Sequence, residues 1–296
     1  MTFSSIFFGP DGLLRSGWRF GVFSALFIVA GVFLSGVAFV LTKPLDIESG
    51  PGSSVFLFVN GLLMTAAALL IGWLCARKLE GLPFSSLGAS FSSGWLQNLV
   101  IGSLLGAATL SLAIAIAWAF GGVSFSVNAA GTWAIVQTLL ISLAVFAAAG
   151  AAEEALFRGY IFQTFDRSRL TLFAVVLTSL LFATVHNANP NASAFSWGNT
   201  FLAGIWFAVA YLRTRDLWFA TGLHVMWNWM QGAFFGIEVS GLKELIPAPL
   251  LIETDSGPAW LTGGDYGLEG GIACTIALLI STAVMWFVPG LKRSGS

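Results

Sequence analysis

Charge is what this 296-residue chain has least of: Lys, Arg, Asp and Glu make up 9% of it, about a third of the share in an ordinary soluble domain. So few charges cannot cover a water-exposed surface, which excludes a soluble globular enzyme. Cysteine is almost as scarce, with only Cys75 and Cys274, both inside apolar segments. No CxxC pair exists, so a disulfide scaffold and a thiolate metal centre are excluded and both thiols read as packing residues. Only two histidines occur, His186 and His224, and the HExxH signature of zinc proteases is absent. A net charge of −1 leaves no basic surface for nucleic acid. Internal repeats and a second, polar domain are lacking too.

What is there instead is apolar length. Hydrophobic residues make up 57% of the chain and the mean hydropathy is +0.86. A bilayer core needs about 20 apolar residues per helix. Eight segments approach or exceed that: Gly17–Leu41, Ser54–Ala76, Leu96–Phe120, Trp133–Phe165, Leu170–His186, Thr200–Leu212, Leu217–Ile237 and Gly270–Val288, the sixth being the shortest. The first is too long for a secretory signal and lacks a small-residue cleavage site, so it is expected to stay as a helix. The expected fold is all-α: a polytopic membrane protein of about eight transmembrane helices, forming one domain over residues 1–296.

Orientation follows from Lys and Arg. In an eight-span arrangement Arg15, Arg19, Arg77, Lys78, Arg167, Arg169, Arg213, Arg215, Lys292 and Arg293 share one side, and only Lys43 and Lys243 fall on the other. The positive-inside rule then places both termini in the cytoplasm. Asp46, Glu48, Glu253, Asp255, Asp265 and Glu269 fall in outside loops, the longest being Glu238 to Glu269. Trp218, beside Arg213 and Arg215, reads as an interfacial residue, whereas Trp227 and Trp229 read as core or pocket residues. Gly102 with Gly106 and Gly17 with Gly21 have the small-xxx-small spacing of close helix packing or dimerisation.

Against this background Glu153 and Glu154 stand out, because two carboxylates end the apolar run that begins at Ala134. An ionisable group at bilayer depth costs roughly 2.5 to 3.5 kcal/mol on insertion scales and marks a functional site by default. Glu154 and Arg158 are spaced i,i+4 with the acid first, the favourable order for an intrahelical pair. That pairing leaves Glu153 without a cation on its own helix, a state suited to a general base. At about 1.5 Å of rise per residue, Glu153 and His186 lie roughly 20 Å from the inner ends of their spans, and His224 and Asn228 roughly 10 to 17 Å from theirs. These groups therefore share one layer of the membrane. His224 and Asn228 also share a helix face, as do Phe182 and His186.

Taken together and in order, EExxxR at Glu153, Glu154 and Arg158, FxxxH at Phe182 and His186, and HxxxN at His224 and Asn228 resemble the CAAX prenyl endopeptidase family, also called CPBP or Abi. The resemblance covers roughly Ala134 to Gly236 and is closest to bacterial members. It implies an intramembrane glutamate protease in which Glu153 and His186 activate water and His224 with Asn228 forms the oxyanion hole. Glu154, Arg158 and Phe182 would support the site. No cofactor is implied, although an older view of such families would make Glu153, His186 and His224 a zinc set. The implied partners are a peptide or membrane-protein substrate and the lipid bilayer, and the implied location is the bacterial cytoplasmic membrane. Two other classes stay open: a non-catalytic scaffold or immunity-type protein on the same fold, and a proton-coupled transporter using the same titratable groups. A transporter predicts inverted repeats or broken helices in two halves, and the sequence has neither.

Overall fold

The computed structural model describes residues 4–45, 53–242 and 246–288. Asp46, Glu48, Lys243, Lys292 and Arg293, on which part of the charge pattern rests, lie outside the described residues.

Each of the eight apolar segments forms a helix. They are α1 (Ser16–Thr42), α2 (Ser54–Leu79), α3 (Trp95–Ala119), α4 (Thr132–Glu154), which continues through a π-helical stretch at Ala155–Ile161 into α5 (Phe162–Arg167), then α6 (Thr171–His186), α7 (Ala194–Thr214), α8 (Leu217–Trp229) and α9 (Ile272–Phe287). The four helices Ser16–Thr42, Ser54–Leu79, Trp95–Ala119 and Thr132–Arg167 are long and apolar enough to cross a membrane by length and composition, while Thr171–His186 and Ile272–Phe287 are shorter apolar helices. The chain is a multi-pass membrane protein. Its outer helices carry the expected exposed belt, with Val29, Val32 and Phe33 of α1 between 69% and 74% exposed. Lipid is as apolar as these side chains, so their exposure costs nothing there.

Three segments differ from the sequence expectation. The sixth helix starts at Ala194, earlier than the apolar run at Thr200, because Ser193 and Ser196 form a capping box and the polar Ser196, Asn199 and Thr200 are buried against neighbours. The fourth is not one regular helix: it widens into a π-turn just after Glu154, and Gly159 leaves helical geometry at ψ −123°. The seventh likewise ends its regular part at Trp229 and passes into a π-turn at Met230–Phe234. Both wide turns directly follow a segment bearing the motif residues, a common association of such turns with function. Finally, the fold is not purely helical. An antiparallel ribbon pairs β1 (Val123–Val127) with β2 (Leu251–Asp255) in register Val123 to Asp255. Strands this short, without a long alternating pattern, leave little trace in a sequence.

Helix α8 is the axis of the bundle, packed against α3, α4 and α7. Its contact with α3 runs through glycine. A methyl group added at Gly102 would lie 3.0 Å from the Phe219 carbonyl carbon, and one at Gly106 3.0 Å from that of Leu223. The small-xxx-small pair Gly102 and Gly106 therefore serves packing within the chain: backbones approach closely because no side chain intervenes. Around this seam lies the largest apolar core, including Trp206, Phe219, Leu223 and Leu278. Cys75 and Cys274 are buried free thiols, as expected.

At one end of the bundle the polar side chains join helix to helix. Glu80 accepts from Arg19 at 2.5 Å and from Arg167 at 2.8 Å, Asp166 pairs with Arg215, and Asn98 donates to Asp216 at 2.6 Å. Most described residues of the basic side of the sequence pattern gather at this end. The ribbon and the segments 187–193 and 246–271 occupy the opposite end.

Candidate active site

The site is assembled from four helices. Glu153 and Glu154 come from the last turn of α4, Arg158 from the π-turn that follows, His186 from the last residue of α6, and His224 and Asn228 from consecutive turns of α8. α7 supplies the floor with Gly204 and Phe207. Separations of about 30 to 75 residues along the chain thus collapse to contact distances.

Glu153 Oε2 lies 3.8 Å from His186 Nε2 and 3.8 Å from His224 Nε2. This oxygen is buried and has no hydrogen-bond partner among the described residues. The two imidazoles are held from behind. His186 Nδ1 is 2.8 Å from the Phe182 carbonyl oxygen, which can only accept, so Nδ1 carries a proton. His224 Nδ1 is 2.9 Å from Glu154 Oε1, an oxygen that also accepts from Arg158 Nη1 at 3.1 Å, so that contact also calls for a proton on Nδ1. In their neutral forms both rings then turn an Nε2 lone pair toward Glu153. Three acceptors face one another, and such a cradle suits a group that brings protons, a water above all.

The supporting layer is fully buried. Glu154 and Arg158 have side-chain exposures of 0% each. Arg158 Nη2 donates to the Gly204 carbonyl at 3.0 Å, and its guanidinium stands 4.8 and 5.0 Å from the rings of Phe182 and Phe207. Phe182 also packs at 4.5 Å on the His186 ring, and Phe207 stacks at 4.5 Å on His224. The expected division of the two glutamates is present in part: Glu154 belongs to Arg158, and Glu153 is without a cationic partner on its helix. The new element is the Glu154–His224 bond, which makes Glu154 the orienter of an imidazole as well as the partner of an arginine. Spacing within one helix shows nothing of a contact with a helix 70 residues away.

Asn228 lines the same cavity as His186 and His224, a space of about 40 Å³, enough for a few waters at roughly 10 to 15 Å³ each. Aromatic walls come from Phe182, Trp206, Phe207 and Trp227. The carboxylate that lines it is Glu269 and not Glu153, and the sequence assigns Glu269 only to an outside loop. It accepts from Trp227 Nε1 at 3.0 Å and from the Ser240 amide and hydroxyl at 2.7 Å each. Nearby, burial first and the Glu269 charge second push the Tyr266 phenol up to about 12.

For zinc the fit is poor. Ligand atoms around a tetrahedral zinc with bonds near 2.0–2.1 Å stand roughly 3.3 Å apart, closer than the 3.8 Å between Glu153 Oε2 and either Nε2. Among the described residues no group of three His, Cys, Asp or Glu is arranged to hold a metal.

Residues 135–230 match the family described as type II CAAX prenyl endopeptidase Rce1-like. The matched stretch contains all the motif residues from Glu153 to Asn228, and the family is one of proteases. No curated protein and no solved structure matches the chain.

Proposed function

From a CAAX endopeptidase segment spanning residues 135–230, we propose that the protein is an intramembrane endopeptidase. It hydrolyses a peptide bond in a membrane-associated or lipidated peptide or protein. Its eight helices span a bacterial cytoplasmic membrane with both termini inside, and the substrate enters from the cytoplasmic side or laterally.

The observation that carries the mechanism is the unpartnered Glu153 Oε2, 3.8 Å from each Nε2. That gap exceeds a direct hydrogen bond, and a water seated beside the pair can reach both atoms. Such a water donates one proton to Glu153 and the other to His186, which leaves its oxygen lone pair aimed at the substrate carbonyl. Glu153 takes the proton as the water attacks, giving the tetrahedral intermediate, and returns it to the leaving amine as the C–N bond breaks. Asn228 donates its amide N–H to the oxyanion. His224 donates there only as an imidazolium, because its Nδ1–H is already committed to Glu154. Each donor aimed at the oxyanion lowers the barrier by about 3 to 4 kcal/mol.

The test is cleavage of candidate membrane peptides by the detergent-purified chain and by Glu153→Ala, His186→Ala and His224→Ala. Loss of turnover in each, with chelators without effect on the parent, is expected. Unchanged turnover in all three variants favours the scaffold reading, and activity removed by chelator and restored by zinc favours the metal version.

A further inference from the structure

A carboxylate without a cation is expensive at the wall of a membrane cavity, and Glu269 is one. No Lys or Arg pairs with it among the described residues. Its oxygens are instead divided between two elements: Oε1 accepts from the indole N–H of Trp227 in α8, and Oε2 accepts from both donors of Ser240. Trp227 directly precedes Asn228 and lies one turn beyond His224. Its ring packs at 5.6 Å on Trp206, whose own N–H donates to Ser281 of α9 at 2.9 Å.

We infer that Glu269 is a positioning residue of this site: through Trp227 it fixes the rotation of α8, and so the aim of His224 and Asn228, while through Ser240 it holds the outer segment over the cavity. The inference rests on the proposed protease reading for its catalytic half only. The physical need for such a tether is local. α8 is a helix of 13 residues that passes into a π-turn, and it meets α3 across glycines Gly102, Gly106 and Gly222. A glycine seam allows close approach and supplies no interlocking side chains to resist rotation. Charge-assisted hydrogen bonds are roughly twice as strong as neutral ones, so a carboxylate gives the indole a firmer stop than an amide does. The backbone around Glu269 is held in turn: Asn199 of α7 donates to the carbonyls of Glu269 and Gly271 at 2.8 and 2.9 Å, and the Ser240 neighbour Gly241 donates to the Tyr266 carbonyl at 2.9 Å. The stop is therefore anchored to α7 as well as to α8.

The test uses the full chain in detergent, with Glu269→Gln, Trp227→Phe and Ser240→Ala beside the parent. Hydrogen exchange read by mass spectrometry should quicken at residues 238–242 and 227–234 in Glu269→Gln, quicken at 227–234 in Trp227→Phe, and stay unchanged across α2 in both. In the cleavage assay Glu269→Gln and Trp227→Phe should lower kcat about tenfold to a hundredfold, the scale of a small misplacement of reacting groups, with KM within a factor of about two. Added to Asn228→Ala, Glu269→Gln should bring little further loss, since it acts through that residue's helix. Unchanged exchange at 227–234 overturns the tether, and losses that multiply with Asn228→Ala overturn its action on the oxyanion donors. If the parent itself cleaves nothing, the protease reading fails, while the exchange result still decides the tether. If Glu269→Gln does not fold, Trp227→Phe carries both measurements, because it removes the indole N–H while keeping an aromatic ring against Trp206.

Discussion

Two carboxylates, Glu80 and Glu153, lie in very different company. Glu80 is 4% exposed and is saturated by two arginines and Thr164 at the basic end of the bundle. Glu153 sits between His186 and His224, 32% exposed, with a buried oxygen that no donor reaches among the described residues. The first arrangement spends every lone pair on joining α1, α2 and α5. The second leaves a lone pair free where three acceptors converge. Glu80 is surrounded by opposite charge, and Glu153, the proposed base, is kept from it.

The comparison can be broken by exchanging the consequences of losing each group. Glu153→Gln keeps shape and removes the base; cleavage should fall by up to about 10⁴-fold, the upper range for a general base, while thermal unfolding stays close to the parent. A large fall in melting temperature without loss of turnover would reverse the roles. Arg158→Met isolates the supporting layer. It strands Glu154 in a fully buried position, for which about 3 to 5 kcal/mol of stability is the usual loss, and it frees Glu154 to rotate away from His224. Denaturant unfolding and turnover should therefore both suffer, and a purely structural pair would show only the first. Glu80→Gln, at the basic end of the bundle, should cost about 1.5 to 3 kcal/mol from charge-assisted hydrogen bonds, with kcat unchanged within a factor of about two once the fold is intact. A matching drop in kcat would mean that the basic end reaches the site through α5 and the π-turn.

Much of this contrast was legible in the chain itself. The 3.6-residue period fixed that Glu154 meets Arg158 and that Glu153 does not, and rise per residue placed Glu153, His186 and His224 at one level. Those inferences need only the geometry of a single helix. The shared bond from Glu154 to His224 needed two helices to meet, as did the burial of Asn199. Glu269 was the clearest omission. Its surroundings in sequence, Gly263, Gly264, Gly267, Gly270 and Gly271, read as loop, and the one available signal was an acidic residue directly before an apolar segment. The ribbon of β1 and β2 was missed because its partners are separated by more than 120 residues.

The sequence by itself determined a multi-pass helical protein, the CAAX endopeptidase signature and the common level of Glu153, His186 and His224, because hydropathy and helical period are local properties of a chain. Only the tertiary structure decided which nitrogen of each histidine faces Glu153, that Glu154 serves two partners, and that Glu269 lines the cavity. Each of those depends on the angle at which one helix meets another. Here that angle is set by glycine seams and buried aromatic packing, whose effect appears only when the helices are together.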